Sequence, residues 1–162
     1  MKRLSVLVTA AVAAIGVAVA LAATGSAQQP GEQTVKLIER PLTGHVVDNP
    51  PKGTRRTSPL FSPGDLTVQT SALFDEANTT RLGTLHSECI ATRGGTRARA
   101  TFHCTGMFKL KAGTLAFDFA GKSAETITLA ITGGTGAFEG RDGSDLSTEK
   151  RDVIEHTIRL RP

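Results

Sequence analysis

The sequence contains no tyrosine and no tryptophan, so phenylalanine is its only aromatic residue. Proteins that bind single-stranded nucleic acid stack bases on aromatic side chains along a basic groove. The basic clusters here are confined to residues 52–56 and 93–99, and without Lys2 and Arg3 the chain has 17 basic and 15 acidic residues. We therefore predict no nucleic-acid partner and interpret these charges as a solvated surface.

Cysteine is scarce too, since the chain has only Cys89 and Cys104. In an exported protein an isolated pair is more often a disulfide than a metal site or a nucleophile, so we predict a Cys89–Cys104 bridge. If the two cysteines face each other in an antiparallel hairpin, the imidazoles of His86 and His103 start ~13 Å apart at ~3.3 Å per residue. We therefore predict no metal site near Glu88, and no cofactor.

The one long apolar run lies at the N-terminus. Lys2 and Arg3 precede uncharged residues 4–23, and Gly25-Ser26-Ala27 follows, which is typical of a secretory signal peptide. We predict a signal peptide at residues 1–27 and a secreted protein, extracellular or in the cell envelope, with no membrane association after cleavage. The run is also long enough to span a bilayer, so a retained anchor is the alternative.

The glycine-rich stretch ITGGTGAFEGRDG, residues 131–143, lacks what a nucleotide site needs. Counted from Gly134 and Gly136, a dinucleotide fingerprint requires a third glycine where Glu139 stands, and the Walker lysine is missing. The pyrophosphate also needs a helix N-terminus, whereas residues 141–145 have turn chemistry and poor helix propensity. The stretch is therefore predicted to turn a corner without binding phosphate.

After residue 28 apolar and polar residues alternate, and no segment keeps a helical period for three turns. The alternating sets are Leu66, Val68, Ala72 and Phe74; Phe102, Cys104, Phe108 and Leu110; Leu115, Phe117 and Phe119; Ile127, Leu129 and Ile131; and Ile154, Ile158 and Leu160. Residues 64–162 are predicted as the main β body, and residues 28–63 as a Pro-rich leader with one short strand at 34–39. Such strands close into a barrel or stack as a sandwich, and a barrel of about eight strands can hold one small ligand.

Two stretches resemble a known superfamily. GDLTVQTSALFDEANTTRLGTLHSECIAT, residues 64–92, is similar to a strand pair of allene oxide cyclases, and LAITGGTGAFEGRDG, residues 129–143, resembles a segment shared by those cyclases and dirigent proteins. The resemblance implies an all-β, closed eight-stranded antiparallel barrel that binds a small hydrophobic, often oxygenated molecule, frequently as a homo-oligomer. It does not by itself imply catalysis. An isomerase of the cyclase type is the activity that the resemblance leaves open, and Lys36 and Ile38 stand at the cyclases' catalytic positions.

Two polar residues on apolar strand faces are the candidate catalytic groups. Glu39 shares the parity of Val35 and Leu37, and a carboxylate in an apolar cavity could act as an acid or base. His156 interrupts the parity of Ile154 and Ile158, where an imidazole could orient a ligand or move a proton. The alternatives are a strand-end glutamate at the barrel rim and a hydrogen-bonded core histidine.

The candidate ligand-binding residues are Ser71, Phe102, Phe117 and Phe138. Ser71 stands where the cyclases have an asparagine, and Phe138 can fold back from the glycine corner as a hydrophobic plug. The competing function is a non-catalytic secreted interaction protein that uses its outer polar faces or the loop at residues 93–99.

Overall fold

The computed structural model describes residues 31–49 and 61–162, so the predicted signal peptide at residues 1–27 lies outside the described residues. These ranges include no helix long and apolar enough to cross a membrane. They form a closed barrel of eight antiparallel strands, in which each strand pairs with its neighbours in sequence and the last pairs with the first. The predicted fold class is confirmed.

The eight strands differ mainly in length. They are β1 (Gln33–Val47), β2 (Leu66–Phe74), β3 (Arg81–Arg93), β4 (Thr101–Leu110), β5 (Gly113–Lys122), β6 (Thr126–Gly134), β7 (Gly143–Lys150) and β8 (Val153–Leu160), with one 3₁₀ helix, Gly136–Phe138, between β6 and β7.

Strand β1 is longer than the predicted strand at residues 34–39, and it belongs to the barrel wall rather than to an exposed leader. It pairs with β8 over residues 33–39 and with β2 over residues 38–47. Leu37 and Glu39 are buried inside the barrel. The strand therefore closes the barrel and carries one candidate catalytic residue to its interior.

Strands β2 and β7 have polar residues on their inner faces, which reverses the usual pattern. In β2 Ser71 is fully buried whereas Val68 is 40% exposed, so the predicted inner face of β2 is wrong, and of that set only Ala72 is buried. In β7 Asp145 is fully buried whereas Leu146 is 48% exposed. The start of β7 does not fit the apolar-inward pattern, and residues 141–145 also have the composition of a turn, so the sequence pattern does not predict this strand.

A packed apolar core fills one half of the barrel. Its most buried members are Leu37, Leu73, Phe108, Leu115, Ile158 and Leu160. Phe138 packs against this core from the 3₁₀ helix, so it plugs the barrel as predicted. Gly136 turns the chain there with φ +64, and a Cβ at that position would lie 2.5 Å from the carbonyl oxygen of Ala112. Both observations explain why the corner needs glycine.

The predicted hairpin register is confirmed. Cys89 lies opposite Cys104 and the two form a disulfide between β3 and β4. The same register places Leu85 beside Phe108 inside the barrel. His86 and Glu88 point outwards and are exposed.

Candidate functional site

The other half of the barrel encloses a cavity of about 490 Å³. Exposed residues, including His45, Val46 and Arg97, are part of its lining, so the cavity opens to solvent between them. Buried Glu39 and His156 also line it. The ring of His156 meets that of core residue Phe108 edge-on, with 5.0 Å between centroids. The cavity therefore ends where the packed core begins, at a buried polar cluster.

This cluster is a chain of three ionisable side chains from three adjacent strands. His156 Nδ1 lies 2.6 Å from Asp145 Oδ2, and His156 Nε2 lies 2.9 Å from Glu39 Oε2. All three side chains are buried, with at most 3% of each residue exposed. The antiparallel pairing of β1 with β8 and of β8 with β7 sets this geometry, because it brings the inner faces of the three strands side by side.

Two side chains from β2 hold the second oxygen of Glu39. Ser71 Oγ donates a hydrogen bond to Glu39 Oε1 over 2.6 Å, and Gln69 Nε2 donates to the same oxygen over 2.8 Å. Gln69 Nε2 also donates to Ser71 Oγ over 3.1 Å. Glu39 thus accepts hydrogen bonds from three side chains, which fix the orientation of its carboxylate in the cavity.

His156 is held in its charged form. Its burial disfavours the charge, but the hydrogen bonds and charges of Asp145 and Glu39 outweigh burial and raise the pKa of His156 from its ordinary 6.5 to about 9. At neutral pH both ring nitrogens therefore donate, one to each carboxylate. Asp145 Oδ1 has no hydrogen-bond partner within the described residues, so the imidazolium is the group that compensates the Asp145 charge.

The cavity has a more polar wall and an apolar wall. Strands β7, β8, β1 and β2 are consecutive around the barrel and form the more polar wall, with Ser147, His156, Glu39 and Gln69 beside the apolar Val46, Val68 and Ile154. Strands β3 to β6 form the facing wall with mostly apolar side chains: Leu85, Cys89, Phe102, Cys104, Phe117, Phe119, Ile127 and Leu129. This division explains the reversed patterns of β2 and β7, whose polar inner faces lie on the more polar wall.

The ring of Phe117 approaches the backbone of β4 closely. A Cβ on Gly106 would lie 2.4 Å from the Phe117 ring, so glycine is what lets this ring pack against the wall. The Phe117 ring also lies 5.4 Å from that of Phe108. The apolar wall of the cavity is therefore in contact with the packed core through Phe117 and Phe108.

The predicted site residues occupy different positions relative to the cavity. Glu39, His156, Phe102 and Phe117 line it. Ser71 lies behind Glu39 with no exposed surface, and contacts Glu39 rather than the cavity. Phe138 belongs to the packed core and is not part of the cavity lining, so its position does not support a ligand contact.

Three further residues of the site, Asp145, Gln69 and Ser147, are not among those predicted from the sequence. The signal for Asp145 and Ser147 lies in the β7–β8 hairpin: a turn at residues 151–152 pairs Lys150 with Val153, which puts Ser147 opposite His156 and Asp145 opposite Ile158. The buried histidine could therefore have identified both β7 residues. Gln69 was missed because the alternation placed Val68 on the inner face of β2, and therefore placed its neighbour Gln69 on the outer face.

The outer histidines are separate from this site. His86 contacts the hydroxyls of Thr70 and Thr84, and His103 lies 2.8 Å from Asp118 on the exposed side of β4 and β5. No group of three or more His, Cys, Asp or Glu residues arranged to bind a metal occurs in residues 31–49 and 61–162.

Comparisons with known proteins identify the fold. The sequence matches no family model and no curated protein. Among solved structures, a pyocyanin demethylase matches with a TM-score of 0.66 at 20% identity, over 79% of this chain and 99% of that chain. A pterocarpan synthase dirigent protein matches with a TM-score of 0.61 at 13% identity, over 82% of this chain and 96% of that one.

An exo-specific intermolecular Diels-Alderase also matches, with a TM-score of 0.58 at 14% identity, over 80% of this chain and 97% of that chain. At these identities the likeness concerns the fold. The chain therefore has the dirigent-like, allene oxide cyclase-like barrel fold that its sequence motifs predicted.

Proposed function

We propose that the barrel binds a small, mostly apolar, oxygenated molecule in its cavity, and that Glu39 exchanges a proton with that molecule. The observation that carries the proposal is the cavity itself, which has an apolar wall and ends at a buried carboxylate held by three hydrogen bonds. Its volume of about 490 Å³ falls within the ~300–1,000 Å³ typical of small-molecule sites. The structural neighbours, which are named for a demethylase, a dirigent protein and a Diels-Alderase, support a reaction on a small molecule.

The reaction class that fits is an isomerisation or ring closure. Glu39 takes a proton from an activated C–H or O–H bond of the ligand, the freed electron pair shifts within the ligand, and Glu39 returns the proton to a different atom. Atoms and electrons balance without a further reactant. The cavity walls contribute by holding the ligand in the reactive conformation.

The other members of the cluster act on Glu39. Asp145 fixes the ring of His156, and His156 Nε2 in turn fixes the orientation of Glu39 Oε2. Ser71 and Gln69 hold its second oxygen. In this proposal Glu39 is the catalytic residue, and the other four are positioning residues.

The predicted export of the protein is part of the proposal. The Cys89–Cys104 disulfide supports an oxidising compartment. A signal peptide at residues 1–27 predicts that the exported protein begins at Gln28, which N-terminal sequencing of that protein tests. A retained N-terminus would favour the membrane-anchor alternative.

Binding is tested with the neutral fluorophore N-phenyl-1-naphthylamine, whose emission rises in apolar cavities. We expect saturable binding of one molecule per chain. Ser87 lines the cavity and its neighbour Glu88 points outwards, so Ser87→Phe should abolish binding and Glu88→Phe should not. Absence of saturable binding, or equal binding by both variants, would remove the cavity as the site.

Proton exchange is tested on compounds that displace the fluorophore. Each is incubated with the protein in D₂O, and Glu39 acting as a base adds deuterium to the compound, which mass spectrometry detects. Glu39→Gln should still bind the fluorophore but lose the exchange. If exchange is the same with wild-type protein, Glu39→Gln and buffer for every displacing compound, the barrel is a binding protein rather than an enzyme.

A further inference from the structure

The polar end of the cavity has an excess of negative charge. Two carboxylates, those of Glu39 and Asp145, surround one imidazole, so the cluster keeps a net charge of −1 when His156 is protonated. The other basic residues of the cavity lining are His45 and Arg97, both exposed at the mouth. Arg97 lies 3.5 Å from Glu149, which compensates its charge there. An anionic group of a ligand at the inner end would therefore lie beside the net negative charge of the cluster, in a place that is poorly solvated.

The hydrogen-bond donors of the cluster are already used. Both nitrogens of His156 donate to carboxylates, and Ser71 Oγ donates to Glu39. The amide nitrogen of Gln69 has two hydrogens, and its two acceptors are Glu39 Oε1 and Ser71 Oγ. A ligand therefore meets few free donors at this end.

Acceptor capacity is left over at the same place. A carboxylate offers about four lone-pair sites, and Glu39 uses three of them for Ser71, Gln69 and His156. Gln69 also lines the cavity, and its amide oxygen makes no hydrogen bond within the described residues. The hydroxyls of Ser87 and Ser147 can donate as well as accept, so they do not reverse this balance.

The facing wall restricts the rest of the ligand to apolar groups. Phe117, Leu129 and the Cys89–Cys104 disulfide all line the cavity on that side. A ligand must therefore place its apolar body against β3 to β6 and its polar end against Glu39.

From this charge and hydrogen-bond balance we infer that the cavity selects ligands whose inner end carries a hydrogen-bond donor, either a hydroxyl or a protonated amine, on an apolar body, and that it rejects the corresponding carboxylate. The inference rests on the proposed binding function. It names the substrate class of the same cavity, since a neutral or cationic donor complements the excess acceptors and the net charge of −1.

The test is competition against N-phenyl-1-naphthylamine at pH 7 by four compounds on one skeleton: 2-naphthylmethanol, 2-naphthylmethylamine, 2-naphthoate and 2-methylnaphthalene. We expect the alcohol and the amine to displace the fluorophore at concentrations about tenfold or more below those of the naphthoate, since one well-placed contact is worth a factor of about ten. The concentration of 2-methylnaphthalene needed to displace the fluorophore should lie between those of the alcohol and amine and that of the naphthoate.

A pair of matched variants locates the cause of this order. Glu39→Gln removes the inner charge with little change in shape, and should reduce the preference for alcohol over naphthoate about tenfold. The control is Glu155→Gln. Glu155 is the neighbour of His156 in sequence but is exposed on the outer face of β8, so removing its carboxylate should leave the preference unchanged.

Each outcome is decisive. Equal displacement by all four compounds, or preference for the naphthoate, overturns the inference on wild-type protein alone, while leaving the binding function in place. If the fluorophore itself does not bind, the proposed function and the inference both fail. An unchanged preference in folded Glu39→Gln would show that Glu39 does not set it.

Discussion

Raising the pH removes the charge of His156 and should weaken the folded protein. The buried imidazole is held in its charged form because Asp145 and Glu39 each accept a hydrogen bond from it. These two carboxylates outweigh the opposing effect of burial and raise the pKa of His156 to about 9. In the unfolded chain the pKa of the same imidazole is about 6.5.

The size and sign of the effect follow from linkage. The interval from 6.5 to about 9 corresponds to about 3 kcal/mol, at ~1.4 kcal/mol for each unit of pKa. Because the folded state has the higher pKa, the contribution is fully present below pH 6.5. It is lost as the pH rises from 6.5 through about 9, where the unfolded chain has released a proton that the folded one retains.

The assay is urea unfolding at a series of pH values from 6 to 10 with the disulfide intact. The free energy of unfolding of the wild type should fall by about 3 kcal/mol more than that of His156→Gln across this series. The variant keeps a hydrogen-bonding side chain but cannot titrate, so it is the matched control. Equal pH dependence in the two proteins, or an NMR titration of His156 with a midpoint below 6.5, would refute the reasoning.

Three further predictions concern the stability of the barrel around the site. Replacing Cys89 and Cys104 together by alanine should cost about 3 kcal/mol, because the bridge closes a loop of 15 residues. Asp65→Ala should cost about 3 kcal/mol, because buried Asp65 accepts hydrogen bonds from two backbone N–H groups and a hydroxyl that would lose their acceptor. Gly136→Ala should cost more than Gly140→Ala, because both glycines have positive φ but a Cβ would meet neighbouring atoms only at Gly136.

Thermal and urea unfolding measure all three. A double cysteine variant as stable as the wild type would show that the bridge does not constrain the unfolded chain. No loss in Asp65→Ala would mean that water replaces the carboxylate, and equal costs at Gly136 and Gly140 would mean that the Ala112 backbone moves aside.

The sequence predicted a barrel or a sandwich of antiparallel strands because most of its strands obey the simplest physical rule, with apolar residues inwards. Phe102, Phe108 and Phe117 all follow it, and the cysteine register followed from pairing the two halves of one hairpin. The resemblance of the glycine motif to a segment of dirigent proteins and allene oxide cyclases then favoured the barrel, and the structure places a left-handed Gly136 at the corner of this motif.

The site was only partly predictable because it breaks that rule. Strand β7 places Asp145 inside and Leu146 outside, so an apolar-inward pattern cannot find it. Glu39 and His156 were visible as polar interruptions of apolar faces. Their contact was not, since it joins residues 117 positions apart through the closure of β1 on β8.

The most direct test of the cavity as the functional site is an NMR titration of the histidine rings with 2-naphthylmethanol. We expect the His156 resonances to shift and to saturate at one ligand per chain, while those of His86 and His103, which lie on the outer surface, stay in place. Shifts at His86 or His103 with His156 unchanged would place the ligand outside the barrel and rule out the cavity as the functional site.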